Sequence, residues 1–370
     1  MMKIVGLVGW RGIVGSVLLQ RMQEENDLLN ITPVFFSTSQ FGQYGPVINN
    51  ISYDILKNAY DINSLKNMDI IITCQGSEYT NQVYPKLRQK NWKGYWIDAS
   101  SALRMENDSI IILDPINYDM IISSIKKGIK TFVGGNCTVS LMLMALGGLF
   151  KQKLIKWITV STYQAASGAG ARHIIELLNQ MGALYSTVQK DLLNNLTAIL
   201  DIEKKVTNMS RSSNFPTDYF SVPLAGSVIP WIDKKINTGQ SREEWKAHAE
   251  AQKILGYNNF TIESLCIRIG AIRCHSQTFF IKLTQELSLR NIEDIIKQHN
   301  QWVNVVPNNI SDTLLKLTPA AVTNTLNIPI GRLRLLNIGK KYLSAFTVGD
   351  QLLWGAAEPL RRMLNLLINY

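Results

Sequence analysis

Short apolar runs alternate with stretches of helical spacing through the first third of the chain. Lys3–Val8 is the first run, and it stops at Gly9. From Val14 to about Glu25, Val17, Leu18, Arg21 and Met22 recur at helical spacing. Thr32–Phe36, Asp69–Cys74, Tyr95–Asp98, Ile110–Leu113 and Thr131–Val133 are further strand-like runs. This alternation predicts a parallel α/β sheet. The pattern then changes. Val139–Phe150 is an apolar run rich in Leu and Met and predicts a long helix. Trp157–Gln164 and Ser264–Cys274 predict longer strands, and Phe279–Leu283 continues the second of them. Ala171–Leu192 predicts a helix, residues 345–354 a glycine turn, and Glu358–Leu367 a closing helix. Mixed strands with helices on one face predict an α+β unit. No internal repeat or low-complexity linker separates the two parts.

The length of 370 residues fits two domains, and a hydrophobic content of 46% supplies ample core. The boundaries expected are 1–134 for a dinucleotide-binding domain and 135–357 for a second domain, with residues 358–370 returning to the first. The apolar stretch at Met1–Gly9 is too short for a signal peptide and is followed by Arg11. Val139–Phe150 falls short of the roughly 20 residues that span a bilayer, so no membrane is expected as a partner. The formal charge of +10 comes as scattered doublets such as Lys126-Lys127 and Lys340-Lys341, not as a basic tract. Nucleic acid is therefore not expected as a partner. Cys74, Cys137, Cys266 and Cys274 form no C-x-x-C pair, and no His lies near them at ligand spacing. No metal and no disulfide scaffold is expected, and a reducing cytoplasm fits best.

Two turns carry candidate chemistry. The first strand runs into Gly9-Trp10-Arg11-Gly12-Ile13-Val14-Gly15, a G-x-x-G-x-x-G turn in place of the usual G-x-G-x-x-G. Glycines let backbone approach a pyrophosphate, and a helix N-terminus supplies donors. After the second strand stands Phe36-Ser37-Thr38-Ser39-Gln40, with hydroxyls where an NAD domain usually has a carboxylate. Hydroxyls can donate to a 2′-phosphate, an acid would repel one, and Arg11 is nearby, so NADP is favoured over NAD.

The second turn is Gly134-Gly135-Asn136-Cys137-Thr138, between a strand and a helix. A cysteine there gains easier ionisation from the helix N-terminus and suits covalent catalysis, although a buried core cysteine is the plain alternative. His275, expected to close the strand Leu265–Cys274, is a candidate acid/base or a structural histidine. Arg268 interrupts an apolar run and must meet either a ligand carboxylate or an internal one. Glu243 and Lys246 stand at i, i+3 and read alone as a solvated ion pair. Arg104 lies just past a strand end, and Gln164–Gly170 forms another polar turn. A nicotinamide cofactor, a nucleophilic cysteine, an acid/base and several cations together suit aldehyde–acyl redox chemistry.

Five segments carry a family resemblance: Gly9–Gly12, Gly134–Thr138, Tyr163–Gly168, Ser241–Lys246 and Arg273–Gln277. On these the chain resembles the aspartate-β-semialdehyde dehydrogenases of the Gram-negative bacterial type, almost from end to end. The resemblance implies NADPH-dependent reductive dephosphorylation of L-aspartyl-4-phosphate to L-aspartate 4-semialdehyde, in lysine, threonine and methionine biosynthesis. It implies a homodimer built through the second domain. It makes Cys137 the acyl-thioester nucleophile and His275 the acid/base. Arg268 would hold the substrate α-carboxylate and Glu243 its ammonium, while Arg104 and Lys246 would bind phosphate. Gln164 would orient the substrate, and Asn136 would support the turn. The cofactor positions implied are Arg11, Gly12, Ile13, Val14, Thr38, Ser39, Gln75, Ser167, Gly168 and Gln351. One departure is visible: Asn195 stands where the family has proline near the cofactor. N-acetyl-γ-glutamyl-phosphate reductase and glyceraldehyde-3-phosphate dehydrogenase share the Cys/His logic, but their nucleophile turns differ. A non-catalytic NADP-binding sensor and a cofactor-free cysteine hydrolase are the readings from other classes. The first is opposed by the presence of both Cys137 and His275, the second by the Gly9–Gly15 turn.

Overall fold

The computed structural model describes residues 2–48, 50–194 and 196–370; Asn195 lies outside the described residues. A first sheet holds seven parallel strands: β1 (Lys3–Val8), β2 (Ile31–Ser37), β3 (Lys57–Asn58), β4 (Ile70–Thr73), β5 (Tyr95–Asp98), β6 (Ser109–Ile112) and β7 (Thr131–Gly134). Their order is β3-β2-β1-β4-β5-β7-β6. Central strands of such a sheet are covered on both faces and need no polar side; all four residues of β4 are buried, as are all four of β7. The chain leaves β1 for β2 on one side and returns to β4 on the other. The crevice where strand order reverses is where open α/β sheets bind ligands. Helix α1 (Ile13–Glu24) rises from it.

The second sheet is mixed: β8 (Ile155–Gln164), β9 (Val228–Ile229), β10 (Thr261–Ile269), β11 (Cys274–Leu283), β12 (Val303–Val305), β13 (Ile328–Leu336) and β14 (Gly339–Asp350), in the order β9-β10-β8-β11-β14-β13-β12. Helix α2 (Cys137–Lys151) is buried without a break from Thr138 to Phe150. A helix apolar on all sides belongs inside, and α2 packs in one core with Val160, Phe279, Ile281, Leu343 and Trp354.

Two expectations need correction. The run Ser264–Cys274 is not one strand. β10 ends at Ile269, residues 270–273 cross the end of β8, and β11 begins at Cys274. The crossing is pinned by Ala166 N–H to Ala271 O at 2.8 Å and Ser167 N–H to Ile272 O at 3.0 Å. His275 therefore opens a strand instead of closing one. Residues 345–354 contain no glycine turn either. Gly349 lies inside β14, where a Cβ would come within 2.6 Å of Leu141 on α2, so the glycine serves close helix–sheet packing. A single π-helical turn, Leu353–Ala357, follows it.

Helix α6 (Glu358–Ile368) closes the chain and lays Leu360, Met363, Leu364 and Leu367 against Ile97, Ile112 and Phe132 of the first sheet. A buried charge knot fixes it. Glu358 accepts from Arg361 Nη2 at 2.9 Å and from Arg21 Nε on α1 at 3.1 Å, and Arg361 Nη1 reaches Asp27 at 2.9 Å. Removing one partner of a buried ion pair leaves uncompensated charge and costs about 3–5 kcal/mol. Glu358→Ala leaves Arg361 with Asp27 alone and is expected to lower the unfolding free energy by the lower end of that range or less in urea titration.

Candidate active site

Asn136 caps α2. Its Oδ1 accepts from Thr138 N at 3.0 Å, Val139 N at 3.3 Å and Thr138 Oγ1 at 2.6 Å, which places Cys137 on the first helical residue. Gly355 of the π-helical turn lies against it; a Cβ there would come within 2.7 Å of Cys137 Cβ. β8, β10 and β11 bring the partners. Gln164 pairs with Arg268 in the β8–β10 ladder, and the β8–β11 ladder ends one step away at Tyr163 and Ser276. The break at 270–273 thus sets Arg268 and His275 on the two sides of one strand end.

His275 is fully buried, and its Nε2 lies 3.2 Å from Cys137 Sγ. Its Nδ1 accepts the N–H of Ala165 at 3.0 Å. Only an unprotonated nitrogen can accept there, so the ring proton sits on Nε2, facing the sulfur. Burial, and after it the Arg268 charge, hold the imidazole well below its ordinary pKa; it is neutral. The thiol is not the easily ionised group that its helix position suggested. Desolvation pushes it up first and the Glu243 carboxylate second, while Arg104, Arg268 and Lys246 pull the other way.

Arg268 is buried and donates Nη1 to Ala165 O at 2.8 Å. No carboxylate lies within ion-pair distance of it among the described residues, which leaves the internal ion pair without support. Gly168 lies beside it: a Cβ there would stand 2.9 Å from Arg268 Nη1 and 3.3 Å from the His275 ring, so only glycine keeps this space open. On helix α5 (Arg242–Leu255), Glu243 is buried and no solvated pair member. It accepts from Asn136 Nδ2 at 3.0 Å, Gln164 Nε2 at 3.3 Å and Lys246 Nζ at 2.9 Å. Lys246 also reaches Asp233 at 2.9 Å. Arg104 donates Nε to Gly134 O at 2.7 Å and Nη1 to Glu250 at 3.1 Å.

Sequence reasoning missed Asp233, Ala165, Gly355 and Glu250. Glu250 had a readable signal: with Glu243 and Lys246 it makes an i, i+3, i+7 set on one helix face.

The other expected residues gather at the crevice. Arg11, Gly12, Thr38, Ser39 and Gln75 line one cavity of about 330 Å³ with Gly9. Gly9 has φ +75°, and a Cβ on it would strike the Cys74 backbone at 2.7 Å. Ile13 and Val14 open α1, whose N-terminus has no capping side chain, so its first N–H groups are free for a phosphate. No carboxylate lines the cavity. Ser37 is not one of the free hydroxyls: its Oγ accepts from Ser39 N at 3.3 Å, Gln40 N at 2.9 Å and Arg11 Nη2 at 3.3 Å, and so shapes the turn. These features fit a dinucleotide. Ser167 and Gln351 lie apart from that turn, joined by a 2.7 Å bond from Gln351 Nε2 to Ser167 Oγ.

Residues 4–124 match the semialdehyde dehydrogenase NAD binding domain, and residues 146–354 the semialdehyde dehydrogenase dimerisation domain. The aspartate semialdehyde dehydrogenase of Francisella tularensis is 46% identical, with 99% of this chain and 100% of that one covered and a TM-score of 0.95. The chain belongs to the aspartate semialdehyde dehydrogenase family. It is an oxidoreductase of amino-acid biosynthesis that carries out the reductive dephosphorylation yielding aspartate semialdehyde. The second such enzyme of Vibrio cholerae, solved with ASA, is 20% identical over 100% of this chain and 99% of its own, with a TM-score of 0.79. The Candida albicans enzyme, solved with NADP, is 13% identical over the same shares, at 0.66. These two share the fold. No helix among the described residues is long and apolar enough to cross a membrane, and no metal-ligating cluster occurs among them.

Proposed function

We propose that this chain works as a cytoplasmic homodimer, uses NADP, and carries its acyl group on Cys137. The observation that carries the reading is the Cys137–His275 pair, 3.2 Å apart, at the mouth of a buried helix beside Arg268, which meets no carboxylate among the described residues. The domain division at 134/135, with α6 returned to the first unit, follows the two sheets. Helix α3 (Ala171–Leu192) and helix α4 (Ile199–Ser210) expose Ile175, Leu178, Tyr185, Ile199 and Leu200, apolar surface that supports the dimer.

In the reductive direction Sγ attacks the acyl carbon of L-aspartyl-4-phosphate. The bond to phosphate breaks, and the thiol proton leaves with the phosphate. Arg268 holds the α-carboxylate, Glu243 the ammonium, and Arg104 and Lys246 the phosphate. Gln164 and Asn136 fix Glu243. The bound nicotinamide supplies hydride. His275 donates a hydrogen bond from Nε2 to the oxygen of the tetrahedral intermediate, whose negative charge the nearby cations stabilise. Collapse breaks the C–S bond and frees the aldehyde, and the departing sulfur takes up a proton from solvent to restore the thiol. The semialdehyde, known here as ASA, is also what the Vibrio structure holds.

Absorbance at the NADPH band tests the reading, with protein, L-aspartate 4-semialdehyde, phosphate and NADP. Phosphate-dependent formation of NADPH supports it; a folded, cofactor-binding protein with no signal overturns it. For the cofactor, Arg11 and the hydroxyls of Thr38 and Ser39 face a cavity free of acid, and the Candida relative was solved with NADP. A charge-assisted bond to phosphate contributes about 1.5–3 kcal/mol. Arg11→Ala is expected to lower kcat/KM for NADP on the order of 10- to 100-fold and leave that for NAD nearly unchanged, read in paired assays.

A further inference from the structure

Glu250 makes a contact that the reaction scheme above does not use. It sits two turns along α5 from Glu243 and is buried. Both carboxylate oxygens are engaged: Oε1 accepts from Arg104 Nη1 at 3.1 Å, and Oε2 accepts from the peptide N–H of Asn136 at 2.7 Å. Arg104 in turn donates Nε to Gly134 O at 2.7 Å. The ion pair therefore grips the chain on both sides of Gly135, immediately before the nucleophile. The turn has no slack for another arrangement: a Cβ on Gly135 would meet Ser140 Oγ at 2.9 Å and Ile111 at 3.3 Å.

We propose that Glu250 is a positioning residue, coupling the Arg104 guanidinium to the Asn136 peptide so that the phosphate-facing cation and the nucleophile turn keep one fixed spacing. The proposal rests on the assignment of Arg104 to phosphate. With Nε and Nη1 committed, Nη2 is the arm left over; its own contact is a long 3.5 Å one to Ala99 O. Substrate phosphate meets a single prong held at a set distance from Sγ. Glu250 also neutralises Arg104. Arg104 faces the sulfur together with Arg268, Lys246, Glu243 and the neutral His275, so the carboxylate tempers the cationic field on the thiol.

Two variants test this. Glu250→Gln keeps the size and can still accept the Asn136 N–H, but it carries no charge, and its amide nitrogen then faces Arg104 Nη1 donor against donor, which pushes the guanidinium away. Glu250→Asp keeps the charge and shortens the reach. A misplacement of about 1 Å away from the chemistry can cost on the order of 10²-fold in rate. Glu250→Gln is expected to lower kcat per titrated active site to that extent, with KM for the dinucleotide unchanged. It is also expected to move the pH midpoint of Cys137 alkylation by iodoacetamide downward, because Arg104 is no longer neutralised. Glu250→Asp is expected to leave that midpoint near the wild-type value. A purely structural glutamate would lower the melting temperature and the active fraction while leaving kcat per site and the alkylation midpoint unmoved. That result in Glu250→Gln overturns the proposal. If Glu250→Gln does not fold, a downward shift of the midpoint in Glu250→Asp overturns it instead. The alkylation needs no turnover, so an inactive wild type would count against the proposed function and leave this test standing.

Discussion

Cys137→Ala is expected to abolish turnover, by at least about 10⁴-fold in kcat, while binding of the dinucleotide stays within a factor of about two. Loss of a covalent nucleophile removes the step that the rest of the site serves, and single losses of such residues cost factors of this size or more. Most of the groups proposed for the cofactor lie apart from the sulfur, at Gly9, Arg11, Gly12, Thr38, Ser39 and Gln75. Alanine is isosteric apart from the sulfur, and the cap that forms the turn comes from Asn136, not from Cys137. The fold therefore has no reason to change. Initial rates and a fluorescence titration with NADPH measure the two quantities on one preparation. Loss of both together would assign Cys137 a structural place at the start of α2. The loss of rate alone, with a thioester trapped from the wild type by acid quench, would assign the chemistry to the sulfur.

Much of this arrangement was legible in the sequence because it is local. Lys3–Val8 followed by glycines and a helical run forecasts a strand, a turn and α1, and the structure has them within one residue of the expected bounds. The cysteine at the strand-to-helix turn was legible for the same reason, and so was the unbroken apolar face of α2. What was hidden depends on distance in space. Ser264–Cys274 reads as one strand because its residue types are continuous; only the need to cross the end of β8 breaks it at 270–273. Glu250 shares a helix face with Glu243 and Lys246, but its partner Arg104, 146 residues away, is brought to it only by the fold. The thiol's direction of shift was misread because a helix N-terminus is local, whereas desolvation and the Glu243 charge are not. The family resemblance supplied what periodicity could not, namely which of the scattered polar residues would converge.

The arginine in β10 ties these levels together and carries the other large effect. A guanidinium in an apolar strand loses its water, and desolvation lowers the Arg268 pKa accordingly. Its hydrogen bond goes to Ala165 O, and no carboxylate among the described residues is in ion-pair contact with it; Glu243 acts on it only from a distance. Such a cost persists where a ligand repays it, and a carboxylate is the ligand whose two oxygens match the fork. Arg268→Lys keeps the charge but cannot offer two parallel N–H donors from a fixed plane. Losing one hydrogen bond to a charged group costs about 1.5–3 kcal/mol, so kcat/KM for the semialdehyde is expected to fall on the order of 10- to 10²-fold. KM for phosphate and for the dinucleotide is expected to stay put, because those partners are assigned to other cations. Steady-state kinetics with each substrate varied in turn separates the cases. An unchanged kcat/KM for the semialdehyde would remove Arg268 from the carboxylate site. A rise confined to KM for phosphate would place the guanidinium on the phosphate instead, beside Arg104 and Lys246.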